Sequence, residues 1–293
     1  MLIHLPQALF DERMRSGDPY LNYCHWPYEP PKPGVGKLRP SSLLFRAIAD
    51  MPHGAWVSET VRAIQRAIGD FRSVYGIKQI DGQWALEVYI YDYEREHRVI
   101  SIERLMSACD GYLSLPVSID TRIPYFMFSF DLTEHAAAQN GKLDSVHIYV
   151  GNPGSEVSSG IAYEFTPHGR QLENFYFFFD AKRHGREIID KLQCSVFCEA
   201  WNLPIEQLYR PELRECHTIC LANKRTCDTI YFSGVDVDQL LFFLDWQKYP
   251  DDFIRFIRDR RSELDHLLYD VGVDYRAINS RIEFVKHGIY GVF

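Results

Sequence analysis

Side chains capable of chemistry recur at alternate positions in short, otherwise apolar segments of this sequence. In the segment EVYIY, Glu87 and Tyr89 alternate with aliphatic residues, and in the segment HIYV, His147 and Tyr149 do the same. Because successive side chains of a strand point to opposite faces of a sheet, each segment predicts a strand with one apolar and one polar-aromatic face. The polar-aromatic face suits neither a dry core nor open water. We therefore expect it to line the lumen of a barrel.

The candidate lining combines phenols with an imidazole, a carboxylate, a thioether and an ammonium group. Its members are Glu87, Tyr89, Tyr91, Met127, His147, Tyr149, Tyr163, Tyr176, Tyr231, Lys286 and Tyr290. Ammonium and phenol donors are suited to binding a diphosphate. Aromatic faces that exclude water are suited to an allylic cation. One set of side chains thus meets both requirements of prenyl transfer from an allylic diphosphate.

The elements that would hold these residues follow a repeating order of helix, two strands and helix. Segments 71–80 and 83–93 flank an Asp81-Gly82 pair, which is typical of a β-hairpin. Paired strands predict an antiparallel sheet, whereas single strands that alternate with helices form a parallel one. Closure would remove exposed strand edges, and about ten strands would leave room for a ligand. We therefore predict an α+β fold, a closed antiparallel β-barrel of about ten strands surrounded by helices.

The same patterns predict the remaining elements. Helices are expected at 41–51, 55–68, 102–109, 182–193, 198–214 (broken at Pro204 and Pro211), 239–246 and 251–269, and further strands at 123–132, 145–150, 174–180, 217–222, 228–235 and 281–293. We expect a single domain over residues 1–293. Within it, the Pro- and Gly-rich residues 1–40 should be irregular and either drape over the body or close one of its ends.

The composition argues against several classes of function. The formal net charge of -8 disfavours a nucleic-acid partner, which requires a basic surface. No apolar run approaches the roughly 20 residues of a membrane-spanning helix, and we see no secretory signal. Seven cysteines in 293 residues favour reduced thiols over a disulfide framework, and their spacing is unlike that of zinc sites. We expect a cytoplasmic monomer with no metal site of its own and no membrane partner.

Three stretches, taken in order, resemble the cyanobactin peptide prenyltransferases, which are ABBA-fold enzymes. They are FSFDLTEHAAAQNGKLDSVHIYV, IAYEFTPHGRQLENFYF and NSRIEFVKHGIYGVF. The resemblance implies a dimethylallyl or geranyl diphosphate donor, with Mg2+ as a cofactor. It also implies that the acceptor is an amino-acid side chain of a ribosomal peptide, which can be cyclic.

The resemblance further implies which residues bind the donor. Those that would contact the diphosphate or the prenyl group are Arg72, His147, Tyr149, Tyr176, Tyr231, Lys286 and Tyr290. The family often places Glu on the first strand and Arg on the second. Arg72 and Glu87 have the reverse order here, so either the charge pair has exchanged strands or the alignment is shifted by one residue.

The acidic side of the lumen suggests a cationic acceptor. Glu87, with Asp92 or Asp131, could hold and deprotonate an arginine guanidinium or a histidine, whereas a Tyr or Trp acceptor needs only one base. Glu87 is therefore the predicted catalytic residue, and Tyr89 and Asp131 are predicted to bind the acceptor. Two other functions fit the same pattern: prenylation of a small aromatic metabolite, and a barrel that binds lipid or peptide without chemistry. The tyrosines could also be sheet packing alone, since aromatic residues favour strands.

Overall fold

Ten antiparallel strands form the centre of the molecule in a computed structural model, which describes residues 10–120, 122–152, 159–198, 203–278 and 281–293. The strands are β1 Ser73–Ile80, β2 Gln83–Tyr91, β3 Met127–Asp131, β4 Val146–Asn152, β5 Ser159–Thr166, β6 Gly169–Asp180, β7 Thr218–Lys224, β8 Asp228–Val235, β9 Tyr269–Ile278 and β10 Arg281–Val292. Strands adjacent in sequence pair with one another, and β1 pairs with β10 to close the cylinder. The predicted closed antiparallel barrel is confirmed.

Helices lie outside the barrel. They are α1 Ser41–Ile48, α2 Gly54–Ile68, α3 Ile102–Ala108, α4 Glu134–Ala138, α5 Gly185–Leu192, α6 Ile205–Leu208, α7 Val237–Trp246, α8 Asp251–Asp259 and α9 Arg261–Leu264, with short 3-10 turns at Arg95–His97 and Pro211–Leu213. The helices bury their apolar sides against the outer face of the sheet, where most of the hydrophobic core lies. In the described part of the chain, no helix combines the length and apolar character needed to cross a bilayer.

The strands divide their side chains between two separate apolar clusters. In β2, Leu86, Val88 and Ile90 belong to the outer core beneath the helices, whereas Tyr89 and Tyr91 belong to an inner cluster within the lumen. Each fully buried aliphatic side chain contributes about 1.5–3 kcal/mol through its removal from water. The alternation seen in the sequence therefore determines which face of the strand lines the lumen and which face packs against the helices.

Several elements differ from the sequence predictions. The helix predicted at 251–269 is two helices, α8 and α9, which end at Leu264, and α4 was not predicted. Strand β3 begins at Met127, four residues after the predicted start at Ile123, and β9 was not predicted at all. The inner face of β9 carries Asp270, Gly272 and Asp274, which are residues that strands usually avoid. Pairing with β8 and β10 outweighs that local preference. Residues 153–158 of the polar-aromatic region between β4 and β5 lie outside the described residues.

The two ends of the barrel are built differently. The hairpins β1–β2, β5–β6 and β7–β8 turn at one end, which we call the hairpin end. The described part of the N-terminal segment lies at the opposite end, where residues 20–28 (the N-terminal loop) meet the inner cluster. Residues 29–40 then run along the outside, where Lys32 and Lys37 bind Asp265. Residues 1–9 of the predicted irregular segment lie outside the described residues.

Candidate functional site

Five tyrosines from five strands form a layer across the lumen, which we call the tyrosine layer. They are Tyr89, Tyr149, Tyr176, Tyr231 and Tyr290. The ring centroids of Tyr231 and Tyr290 lie 5.6 Å apart, those of Tyr89 and Tyr290 6.1 Å, and those of Tyr149 and Tyr176 5.9 Å. These spacings are typical of edge and tilted aromatic contacts. Burial raises the pKa of every one of these phenols well above its ordinary value, so the layer stays uncharged.

Glycines in the neighbouring strands make room for these rings. Gly272 of β9 lies directly opposite Tyr231 of β8, and a Cβ atom at this position would lie 2.4 Å from the ring. At Gly76 of β1, a Cβ atom would lie 2.8 Å from Tyr290 and 3.1 Å from Tyr89. The glycines thus allow large rings to lie flat against the inner wall.

Substituting Gly272→Ala is expected to lower the free energy of unfolding by about 1–3 kcal/mol, because the new methyl group forces the Tyr231 ring out of its place. Urea denaturation followed by circular dichroism measures the change. Gly160→Ala is the matched control, since its Cβ atom would meet nothing closer than 3.6 Å. Equal stabilities of the two variants would contradict this role for Gly272.

A buried charge cluster lies on the hairpin side of the tyrosine layer. Lys78 of β1 forms an ion pair with Glu87 of β2, and its Nζ lies 3.7 Å from Asp131 of β3. The Glu87 carboxylate also accepts hydrogen bonds from Tyr89 (2.7 Å) and Ser129 (2.5 Å). Burial favours a neutral carboxyl, but Lys78 outweighs it and holds the pKa of Glu87 well below its ordinary value. Glu87 is therefore a carboxylate with its acceptor positions filled and is a weak base.

A second charge cluster involves residues of β7, β8, β9 and β10 and lies at the same end of the lumen. Asp274 of β9 accepts two hydrogen bonds of 2.9 Å from Lys224 and one of 2.6 Å from Thr229, and it lies 3.2 Å from Lys286. Burial lowers the pKa of Lys224, and Lys286 adds to the effect although Asp274 opposes it. A further anion bound nearby would therefore stabilise the charged form of Lys224.

Together these groups line a cavity of about 330 Å3 at the hairpin end, which we call the polar mouth. A smaller cavity of about 90 Å3 lies on the other side of the tyrosine layer. It is lined mainly by apolar and aromatic side chains, together with Arg95 and Ser159, and we call it the apolar cavity. All five tyrosines contribute to both cavities. The lumen therefore has a charged compartment and an apolar compartment that share a wall of phenols.

The N-terminal loop forms the floor of the apolar cavity. Tyr23 stacks on Tyr231 with ring centroids 6.0 Å apart, and its backbone N–H donates to Asp270 at 2.7 Å. Asp270 also accepts from the hydroxyl of Ser233 (2.5 Å) and the backbone N–H of Gly234 (3.2 Å). Burial raises the pKa of Asp270 to about 7.

The raised pKa of Asp270 predicts a pH-dependent stability. The folded state holds this proton more tightly than the unfolded chain, where the pKa is 3.8. The contribution is therefore fully present below pH 4 and is lost as the pH rises through 7. A shift of about three pKa units corresponds to on the order of 4 kcal/mol.

Asp270→Asn should remove this part of the pH dependence, because the amide does not titrate. Urea midpoints measured between pH 4 and pH 8 should fall less steeply for the variant than for the wild type. Parallel curves for the two proteins would refute the assignment.

The structure brings most of the predicted site residues together. Glu87, Tyr89, Asp131, His147, Tyr149, Tyr176, Tyr231, Lys286 and Tyr290 all line the polar mouth. The Nδ1 atom of His147 lies 3.8 Å from Glu87.

Three predicted residues lie elsewhere. Arg72 is exposed in a groove on the outside of the barrel. It directly precedes β1 at the end far from the polar mouth, since β1 ends at the hairpin turn. The cation that pairs with Glu87 is Lys78 on the same strand. Asp92 accepts hydrogen bonds from the backbone N–H groups of Val99 and Ile100. Tyr163 packs against the outer core, on the face of β5 opposite to its neighbour Ala162, which belongs to the inner cluster.

Sequence reasoning missed Lys78, Glu173, Lys224 and Asp274, which also line the polar mouth. The alternation of β1 contained a usable signal for Lys78, since this residue has the same parity as Val74 and Gly76 on the inner face. Lys224 likewise has the parity of Cys220 and Ala222, which belong to the inner cluster. A polar residue near a hairpin turn is ordinarily exposed, so the sequence alone did not single them out.

A comparison with protein-family models finds no match for this chain, and a comparison with curated proteins finds no significant match. The function is therefore inferred from the lumen itself.

Proposed function

We propose that this protein transfers a prenyl group from an allylic diphosphate to a nucleophilic side chain of a peptide. The observation that carries the proposal is the tyrosine layer between an apolar cavity and a mouth that holds three lysines. A prenyl diphosphate has the same division, an apolar chain joined to a polyanion. With its diphosphate in the polar mouth, its chain would extend through the tyrosine layer into the apolar cavity.

The reaction would begin with cleavage of the bond between C1 of the prenyl group and the diphosphate oxygen, whose electron pair leaves with the diphosphate. Lys78, Lys224 and Lys286 are placed to stabilise the developing negative charge. The faces of the five phenols stabilise the allylic cation and exclude water from it. A lone pair of the acceptor then forms the new bond at the prenyl group.

The charge balance of the polar mouth favours a cationic acceptor. Among the described residues, three lysines line it together with the four carboxylates of Glu87, Asp131, Glu173 and Asp274. Asp131 is 39% exposed and lies 3.7 Å from the nearest lysine nitrogen, so its charge is the least neutralised within the lumen. A guanidinium presents donors in a fork that matches such carboxylates. We therefore place an arginine side chain first among the acceptors.

Proton removal from this acceptor would involve Asp131 rather than Glu87. Glu87 is held as a weak base by Lys78, Tyr89 and Ser129 and serves to fix their positions. Asp131 is close enough to the rim to take the proton that the acceptor loses and pass it to water. Glu87 then acts as a positioning residue in the proposed reaction.

Mg2+ fits this site only as an ion that the diphosphate brings with it. The described residues contain no group of three or more His, Cys, Asp or Glu side chains that could hold a metal. Mg2+ commonly keeps several waters and binds substrate phosphates with one or two carboxylates. Glu173, a carboxylate of the polar mouth with no part in the proposed proton transfer, would provide such a contact, and the ion would neutralise charge on the leaving diphosphate.

A peptide acceptor is supported by the position of the N-terminal segment. Its residues 20–28 cover the end of the barrel opposite the polar mouth, where Tyr23 and Cys24 line the apolar cavity, and residues 29–40 run along the outside. Residues 27–40 therefore do not cover the polar mouth. A bulky acceptor can approach from the hairpin end.

Incubation with dimethylallyl or geranyl diphosphate, Mg2+ and peptides that carry Arg, His, Tyr or Trp tests the proposal by mass spectrometry. The expected result is a mass increase on the Arg peptide. Prenylation of the Tyr or Trp peptide alone would refute the cationic acceptor, and prenylation of a small phenol but no peptide would favour the metabolite alternative. No transfer to any acceptor, with diphosphate still bound, would favour the silent barrel.

A further inference from the structure

The tip of the N-terminal loop is a rigid hairpin inserted into the barrel. The Asn22 side chain accepts hydrogen bonds from the N–H groups of Cys24 (2.9 Å) and Trp26 (3.0 Å), and the N–H of Asn22 donates to the carbonyl of Trp26 (3.0 Å). Two barrel-side contacts hold the tip in place. The Tyr93 hydroxyl donates to the carbonyl of Cys24 at 2.7 Å, and Tyr23 is bound to Asp270.

Trp26 forms the part of this loop that separates the apolar cavity from solvent. It lines the cavity, its ring packs against Phe178 with centroids 5.9 Å apart, and 38% of its surface is exposed. Phe178 lines the cavity from β6. Removal of either ring would therefore lengthen the cavity, and removal of Trp26 would open it to solvent.

The size of the apolar cavity limits what it can hold. Its volume is about 90 Å3, whereas a cavity of about 150 Å3 in another protein takes up benzene, a ring of six carbons. The apolar cavity is smaller than that, but the part of the chain nearest the diphosphate would lie within the tyrosine layer, so only the distal carbons of a dimethylallyl group need this space. The ten carbons of a geranyl group need about twice the room and would meet the Trp26 ring.

We infer that the N-terminal loop sets the length of the donor chain, with Trp26 as the residue that admits dimethylallyl and excludes geranyl diphosphate. The inference rests on the proposed function, since it assigns the apolar cavity to the donor chain. It adds that a segment outside the barrel strands, and not only the barrel wall, determines which donor is used.

Binding of saturated analogues tests the inference without any transfer reaction. Isopentyl diphosphate has five carbons and 3,7-dimethyloctyl diphosphate has ten, and neither ionises to an allylic cation. Isothermal titration calorimetry on the full chain gives the ratio of their dissociation constants. For the wild type, we expect the five-carbon analogue to bind at least tenfold more tightly.

Trp26→Gly should lower this ratio by about tenfold or more, and Phe178→Ala should change it in the same direction. Trp26→Phe retains a ring at the floor and should keep the wild-type preference. Phe175→Ala is the matched control on β6, because Phe175 is exposed on the outer surface. Inorganic diphosphate reports on the polar mouth and should bind all variants equally, which also shows that each variant is folded.

Equal affinity of the wild type for both analogues would overturn the inference, as would an unchanged ratio in both Trp26→Gly and Phe178→Ala. These outcomes differ from failure of the proposed function. That failure would appear as a wild type that does not bind inorganic diphosphate or that transfers neither allylic donor to any acceptor.

Discussion

Replacing Lys78 by methionine is expected to lower the free energy of unfolding by about 3–5 kcal/mol. Lys78 and Glu87 retain only 6% and 7% of their side-chain exposure, and the variant leaves the Glu87 carboxylate buried without its cation. Breaking a buried pair on one side costs more than removing both charges. Urea denaturation followed by circular dichroism measures the loss.

Two further variants separate this effect from a general loss of packing. Lys78→Met combined with Glu87→Gln leaves no buried charge and should recover most of the stability. Lys142→Met removes an exposed lysine and should change the free energy of unfolding by less than about 0.5 kcal/mol. If the double variant is no more stable than Lys78→Met, the ion pair is not the cause.

The second large effect is expected for the proposed prenyl transfer. Replacing Lys224 by methionine should lower kcat/KM by about 100- to 1,000-fold. The reason is removal of one preorganised cation from the place where diphosphate charge develops. Steady-state kinetics with dimethylallyl diphosphate and the Arg peptide measures it. Lys142→Met again serves as the control with unchanged kinetics.

The pH profile gives this prediction a second readout. Because burial lowers the pKa of Lys224, the wild-type kcat/KM should begin to fall with rising pH below the ordinary lysine value of 10.5. Lys224→Arg keeps its charge at all these pH values and should move the fall to higher pH. Full activity of Lys224→Met, or an unshifted pH profile for Lys224→Arg, would show that Lys224 does not stabilise the leaving diphosphate.

The sequence predicted on which face of its strand a side chain lies better than it predicted which residues that side chain contacts. Alternation in EVYIY and HIYV placed Glu87, Tyr89, His147 and Tyr149 on the same side of the sheet as the structure does. This works because side-chain direction in a strand has a period of two and needs no information from other strands. Tyr163 was assigned to the wrong face: it pairs with the outward-facing Ile148 of β4, whereas its neighbour Ala162 belongs to the inner cluster.

Charge partners were the least predictable part of the site. Arg72 and Lys78 lie in one predicted strand segment, 71–80, and the sequence favoured Arg72 as the cation near Glu87. The pairing register decides otherwise, since Gly76 lies opposite Glu87 and places Lys78 beside it, while Arg72 precedes the strand at its far end. A register is a property of two strands together, so neither strand alone specifies it.

By itself, the sequence determined that hairpin strands with a phenolic face would close into a barrel, because periodicity and turn chemistry are local. Only the tertiary structure decided that Lys224, Lys286 and Asp274 line the same cavity as Lys78 and Glu87, and that the N-terminal loop becomes the floor of the apolar cavity. These contacts join segments far apart in the chain. Their formation depends on closure of the β1–β10 seam, whose geometry is set by all ten strands at once.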